Sequence, residues 1–541
     1  MTRPSEMTYE DALVYLDGLI DFEKVGANYF GADRFQLATV RRLLEGLGSP
    51  HQRLACLHIA GTKGKGSTAA MCDALLRAAG FRVGLFTKPH LVDVRERTRL
   101  DGRMIEPGHF ARMVRAMRPV IDEINADPQS ADITYYEAQA ALALTYFAEQ
   151  EVDFAVVETG LGGRLDATNV LIPLVCGITR VDFDHVDLLG DTLAAIAAEK
   201  AGILKPGVPC VVAPQEPEAL APIAARAAEI GAPLLPPAAI EDARETFTLR
   251  VGEARYDGLR LPLHGTYQRV NAATCLAMVH ALGAERVRLQ PEQVGAGLAQ
   301  VRLRGRFDIV REQPTVVLDV AHNAVSARAL RETLQHVLAA RRPLIAVVGL
   351  QNDKDAEGFA RELFPVCDAV VLTRFHGARS LPPRRAGQAR RGVRAAGADC
   401  RLGGGSAGRG PRAGRHRWRR LCHRLLPHRR RGDGGSRRRA GVSAGRPDLH
   451  MGGGDGARGP RGYVLSLLHY VLRPDCQASV KHRSGADADL PLLTSPLRAP
   501  DGPPGPDSPG ARAGPRCATG APRAGEETPC WAAKHGWHVT P

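Results

Sequence analysis

At 541 residues the chain is long enough for two or three domains of ordinary size, each able to bury its own core, and its eleven scattered cysteines form no Cys-x-x-Cys pair, which fits reduced thiols rather than a disulfide or zinc framework. No apolar run approaches the roughly 18 to 20 residues of a membrane span, and acidic Glu6, Glu10 and Asp11 stand where a signal peptide would be apolar, so a soluble cytoplasmic protein without membrane contact is expected. The net charge of +14 would suggest nucleic acid if it were spread evenly, but residues 376–541 hold 31 Lys+Arg against 11 Asp+Glu while residues 1–375 hold 41 against 47, so no nucleic-acid partner is expected.

In chain order, the apolar run from Leu54 to Ala60 reads as a strand, Gly61 opens a glycine-rich loop, and Ser67 to Ala79 has helix-forming composition with Gly80 as its stop. Short apolar runs recur at Phe81–Phe86, Phe154–Val157, Val175–Ile178 and Val208–Ala213, separated by alanine-rich helical segments such as Glu137–Gln150 and Glu218–Ile230. This alternation predicts an α/β fold with a doubly wound, mainly parallel sheet of the P-loop type. A second βα series at Thr315–Val320, Pro343–Gly349 and Asp368–Thr373 predicts a smaller, Rossmann-like α/β domain that looks incomplete. The division expected is 1–295, 296–375 and a tail at 376–541, with the junction near Gln290–Arg304. Beyond Arg374 the periodicity stops, and arginine, glycine and proline leave too few apolar residues for a core, so disorder is expected there.

The strongest chemical signal is Gly61-Thr62-Lys63-Gly64-Lys65-Gly66-Ser67-Thr68 between strand and helix. Backbone N–H groups and a helix N-terminus at such a turn cradle phosphate oxygens, and Lys65 would neutralise the β- and γ-phosphates. The spacing departs from the usual Walker pattern, since Ile59 stands where its first glycine belongs and Gly66 separates Lys65 from Ser67. Glu158 ends an apolar strand ahead of a glycine-rich loop, where a carboxylate can hold Mg²⁺ beside a nucleotide.

The string "HIAGTKGKGST" resembles the phosphate loop of the Mur ligase superfamily, and within it the folylpolyglutamate and dihydrofolate synthases, whose usual wording has Asn at Lys63. The resemblance continues in order through "TKPHLVDVRERTRLDG" from Thr87, "VVETGLGGRLDATN" from Val156, "DHVDLLGDTLAAIAAEKAGILKPG" from Asp184 and "LDVAHN" from Leu318, and covers residues 8–375 in outline. It implies an ATP-dependent, magnesium-requiring amide ligase that joins L-glutamate to a folate or dihydropteroate carboxylate through an acyl phosphate, working as a monomer. It also implies that Glu158 and His185 are magnesium ligands and that Lys200 is carbamylated into a third. Asn271, Arg306, Asp319 and His322 match positions that contact ATP. Thr134, Tyr135, Tyr136 and Glu137, with Leu165, Asp166 and Ala167, match segments lining the pteridine side of the pocket, where a tyrosine ring and a carboxylate suit a pterin. Read without the resemblance, Lys200 is a solvated helix lysine and His185 a structural histidine.

One departure concerns Lys88, which occupies the place of a serine whose hydroxyl ligates the first magnesium in the family. An ammonium cannot ligate a metal. Three readings stand: Thr87 substitutes, the Lys88 charge replaces part of the ion's role, or that metal site is impaired.

Only 2 of the tail's 31 basic residues are lysine, a composition expected of out-of-frame translation of GC-rich DNA. A one-base forward shift permits "CHPDELARLAA" for Leu381–Arg391 and "GVVCVTGSFLIAA" for Trp418–Arg431, the second resembling the family's last strand, so a frame break near residue 375 is expected. An arginine-rich RNA-binding extension would need interleaved aromatics, and Trp418 is the only one among the densest arginines. A cell-wall Mur-type amino-acid ligase and a non-catalytic nucleotide-binding product of a broken frame are the competing functions.

Overall fold

In the computed structural model the described residues are 7–22, 36–242, 245–338, 342–373, 380–381, 399–402 and 463–468. They form two compact units, one running to Asp308 and the other from Ile309 to Arg374 and Ser380 to Leu468.

The first unit carries strands β1 (Cys56–Ala60), β2 (Val83–Phe86), β3 (Thr98–Leu100), β4 (Arg103–Met104), β5 (Phe154–Glu158), β6 (Val175–Ile178), β7 (Cys210–Val212) and β8 (Leu234–Leu235) in one sheet of order β4-β3-β2-β5-β1-β6-β7-β8. From β2 to β8 every pairing is parallel, and β3 and β4 close one edge as an antiparallel hairpin. All residues of β1, β2, β5, β6 and β7 are buried, as expected when helices cover both faces of a parallel sheet. The period of two sorts them. In β5, Phe154 and Val156 enter a core shared with the Lys65–Ala78 and Tyr267–His280 helices, while Ala155 and Val157 enter the opposite core with the Pro107–Ala126 and Tyr135–Glu149 helices. Glu158 is next in the alternation, which turns its carboxylate to the face of the Lys65 helix. A small antiparallel sheet, β9 (Ala239–Asp242), β10 (Phe247–Val251) and β11 (Ala254–Leu259), adds Phe247, Leu249 and Tyr256 to that same core.

The boundary falls at residue 308, beyond the expected 295. Val294 and Leu298 of the Pro291–Gln300 helix are buried in the first unit's core, and a Cβ added at Gly297 would lie 3.0 Å from the Ala74 carbonyl, so this helix is packed too closely to be a linker.

The second unit contains β12 (Asp308–Glu312), β13 (Thr315–Asp319), β14 (Leu344–Gly349), β15 (Ala369–Leu372), β16 (Asp399–Leu402) and β17 (Tyr463–Leu468), in the order β12-β13-β17-β14-β15-β16. The expectation of no ordered structure beyond Arg374 is corrected at two places. β16 extends the sheet beside β15, and β17 lies between β13 and β14, parallel to both. "YVLSLL" is a short β-forming run, and without it β13 and β14 would each present a row of unpaired backbone groups. The rest of the tail, including the segments that suggested a frame break, lies outside the described residues.

Every N–H of a central strand belongs to a ladder, so Leu465→Pro, which deletes one, is expected to accelerate amide exchange in β13 and β14 while β1 and β5 stay protected. Unchanged exchange in β13 and β14 would show that the sheet closes without β17.

Candidate active site

The segments singled out by sequence converge because each follows the C-terminal end of a neighbouring parallel strand. The phosphate loop follows β1, Lys88 follows β2, Glu158 ends β5, and Asp184 and His185 follow β6. Connections run to opposite sides of the sheet at β1, and the crevice at such a switch is where α/β sheets bind ligands.

At the loop, Gly64 has φ of 95°, a conformation L side chains rarely adopt, and a Cβ there would sit 2.3 Å from Asn271 Oδ1. Asn271 therefore lies against the loop, held by its Nδ2 donating to Gln268 Oε1 at 2.9 Å. The helix begins at Lys65, leaving the first-turn amides of Lys65, Gly66 and Ser67 without intrahelical acceptors. The expected cradle is narrower at its start, since the Thr62 and Lys63 amides both donate to the Arg180 carbonyl. The Thr62 hydroxyl donates to the Asp182 carbonyl at 3.0 Å, and Lys63 Nζ pairs with Asp184 Oδ2 at 2.9 Å. These contacts tie the loop to the segment after β6.

Lys65 Nζ donates to the Gly61 carbonyl at 3.0 Å. Burial pushes its ammonium below the usual lysine range, opposed by the charge of Glu158. Glu158 is 4% exposed, and burial pushes its carboxyl up against the pull of Lys65, the Lys88 amide, Arg306 and the Lys88 charge. Its Oε2 accepts from the Lys88 amide at 3.1 Å. Arg306 thus acts on this group from the end of the first unit. Asp319 and His322 belong to the second unit, at the C-terminal end of β13, where Asp319 Oδ1 accepts from the Ala321 amide and His322 Nδ1 contacts the Val320 carbonyl at 2.9 Å.

Lys200 is buried, not solvated, at 3% exposure, and desolvation lowers its pKa to about 7, with Lys65 adding to the effect. The "ETGLGG" loop encloses it: a Cβ at Gly163 would lie 2.8 Å from the carbonyls of both Glu199 and Lys200, and the Arg164 amide donates to the Glu199 carbonyl. His185 is half exposed, has φ of 51° and precedes the short Val186–Leu189 helix, with Nε2 3.9 Å from Asp184 Oδ1. Among the described residues no group of three or more His, Cys, Asp or Glu forms a metal cluster. The set Glu158, His185 and Lys200 holds only two such side chains and needs the lysine converted to an oxygen donor.

On the expected pteridine side, Thr134 and Glu137 cap the Tyr135–Glu149 helix, Thr134 donating through N and Oγ1 to Glu137 Oε2 at 2.8 Å each. Asp166 Oδ2 accepts from the amides of Gly160 and Leu161, and Oδ1 from the amide and hydroxyl of Thr168 and from the Tyr136 hydroxyl at 3.3 Å. Both carboxylates are thus engaged in shaping their own segments. Tyr135 and Ala167 are buried in the core, and Leu165 sits in the loop between them and Gly163. Sequence reasoning missed His58, which is fully buried in β1 with Nε2 2.7 Å from Thr168 Oγ1 and a pKa lowered by burial to about 3. The only signal was a histidine inside an apolar strand.

A nucleotide-binding loop on a doubly wound sheet, followed by a second α/β unit, defines a P-loop-like nucleotide-dependent enzyme. Residues 305–401 match the Mur ligase glutamate ligase domain. The chain is 35% identical over 378 residues to the Bacillus subtilis dihydrofolate synthase/folylpolyglutamate synthase, covering 68% of this chain and 85% of that one. Its structure is similar to Mycobacterium tuberculosis folylpolyglutamate synthase complexed with ADP (TM-score 0.65, 33% identity, 73% of this chain and 88% of that one) and to E. coli FolC in complex with DHPP and ADP (TM-score 0.64, 29% identity, 74% and 90%). The chain belongs to the folylpolyglutamate/dihydrofolate synthase family of the Mur ligase superfamily and is a ligase of the acid–amino-acid class.

For a lysine titrating near 7 when folded and near 10.5 when unfolded, the unfolded chain holds the extra proton between those values, so stability rises with pH across that window and the burial cost is fully present below it. In CO₂-free buffer the stability of the wild type relative to Lys200→Met is expected to increase between pH 7 and 10 in urea titrations. A pH-independent difference would mean that Lys200 is not buried as an amine.

Proposed function

We propose that this chain binds ATP on the Gly61–Ser67 loop and joins L-glutamate to a folate or dihydropteroate carboxylate through an acyl phosphate. The observation that supports this best is the crowding of Lys63, Lys65 and Lys88 around buried Glu158 and part-buried Asp184 at the N-terminal end of the Lys65–Ala78 helix, an arrangement that favours a polyanion. Lys65 draws charge from the γ-phosphate as the substrate carboxylate attacks it, ADP leaves, and the glutamate amine then displaces phosphate. Asn271 braces the loop, and the first-turn amides of Lys65, Gly66 and Ser67 orient the phosphates.

Glu158 offers one oxygen not held by the Lys88 amide, and the Lys200 amine, neutral in part near pH 7, is in the form that reacts with CO₂, so the residues fit Mg²⁺ with Glu158, His185 and carbamylated Lys200 as its ligands. When bound, that ion supplies neutralisation of the phosphate charge. The neighbouring ammonium groups do part of the same work.

Purified protein is expected to release ADP only when a pteridine acid and glutamate are both present. Turnover on a muramyl-peptide precursor instead would favour the cell-wall ligase. Gly64→Ala, forcing a side chain onto Asn271 at a positive φ, is expected to weaken ATP binding by about tenfold or more in equilibrium titration. Wild-type affinity in that variant would remove the loop from the nucleotide site.

We also propose that the reading frame breaks near residue 375, where the composition turns to arginine, glycine and proline. The chain as written then ligates weakly, and restoring the frame by one base raises turnover; equal turnover of the two forms would remove this reading.

A further inference from the structure

The Lys88 side chain reaches the Tyr136 ring, on the side expected to face a pteridine. Its ammonium lies 5.0 Å from the centroid of the Tyr136 ring, while its backbone amide is fixed to Glu158 Oε2 at 3.1 Å. Tyr136 in turn donates its hydroxyl to Asp166, whose two oxygens hold the amides of the 160–168 loop, and packs against Phe86 at a centroid distance of 6.1 Å. The ammonium is therefore carried by a rigid frame on both sides. Its charge acts on Glu158 and on Lys65, so it stands within electrostatic reach of the γ-phosphate position as well.

In the reaction proposed above, the acceptor carboxylate has to lie between the γ-phosphate and the bound ring system, because an oxygen of that carboxylate must reach the phosphorus. Lys88 stands at this border, between the group that meets the γ-phosphate and the tyrosine on the substrate side. We propose that the Lys88 ammonium binds the acceptor carboxylate of the substrate and holds it in line with the γ-phosphate, making Lys88 a specificity residue for an acid over a neutral ring compound. The assignment rests on the ligase reading. No bond is made or broken at Lys88; an ammonium donates hydrogen bonds to one carboxylate oxygen, which leaves the other oxygen as the nucleophile.

The test is an equilibrium binding cycle, with no turnover, using the full chain and the non-hydrolysable ATP analogue AMPPCP. Wild type and Lys88→Met, which keeps the side-chain length and removes the charge, are titrated by fluorescence with pteroate and with the same ring system ending in a carboxamide. The expected result at saturating AMPPCP is a loss of about tenfold or more in pteroate affinity on substitution, as for a charge-assisted hydrogen bond, with carboxamide affinity changed less than twofold. Lys88→Arg, retaining a cation of different shape, should recover part of the pteroate affinity. Equal losses for acid and amide would make Lys88 a structural support of Tyr136, and no loss for either would leave it without a role in binding; both outcomes overturn the proposal. If the wild type binds neither pteridine, the ligase reading itself fails, a result separate from either of these.

Discussion

Several ammonium groups of this site are held close to one another at the C-terminal edge of a parallel sheet, and the free-energy cost of that crowding shapes what surrounds them. Lys200 is buried and Lys65 partly so; burial lowers the tendency of both to hold a proton, Lys65 adds to the effect on Lys200, and Lys63 adds to both. Such an arrangement is tolerable only with compensating anions nearby, because isolated buried charge is strongly unfavourable. Glu158 and Asp184 supply part of the compensation, one at the end of β5 and the other after β6. A bound triphosphate would supply the rest, which is why the positions of strands, glycines and carboxylates can all be referred to this one electrostatic requirement.

The sheet meets that requirement by geometry. Parallel strands with their crossover helices bring the C-terminal ends of β2, β5, β1 and β6 side by side, although the residues concerned are spread from Gly61 to His185 in sequence. The glycines then set how closely the connecting loops approach. Gly64 admits Asn271 against the phosphate loop, and Gly163 lets the loop after β5 lie on the carbonyls of Glu199 and Lys200, which seals the lysine from water. The network through Tyr136, Asp166, Thr168 and His58 runs from the Tyr135–Glu149 helix into the centre of the sheet, so the loop after β5 is anchored to β1 as well as to its own turn.

The second unit has a different constraint. Its sheet has β17 in the middle, drawn from residues 463–468, far along the chain from β13 and β14. An internal place in a sheet is set by backbone pairing on both sides and asks only for a short β-forming run. This explains how a segment within an arginine-, glycine- and proline-rich tail can occupy it.

Much of the first unit, and part of the second, was legible in the sequence because the signal is local. The β1 strand, the glycine-rich loop and the Lys65 helix form one contiguous signal, and the apolar runs at β5, β6, β14 and β15 are short, wholly apolar and separated by helical segments, the pattern of buried parallel strands. The family followed from ordered blocks of the same kind. What only the tertiary structure decided depends on distance in space. Sequence could not show that Lys200 is enclosed and not solvated, that the amides of Thr62 and Lys63 are spent on Arg180, that Glu137 and Asp166 hold their own segments, or that Lys88 faces Tyr136. Nor could it place the unit boundary after the Pro291–Gln300 helix or bring β17 between β13 and β14. Burial and hydrogen-bond partnership are properties of contacts between segments far apart in the chain, whereas periodicity and composition report only on a residue's neighbours along it.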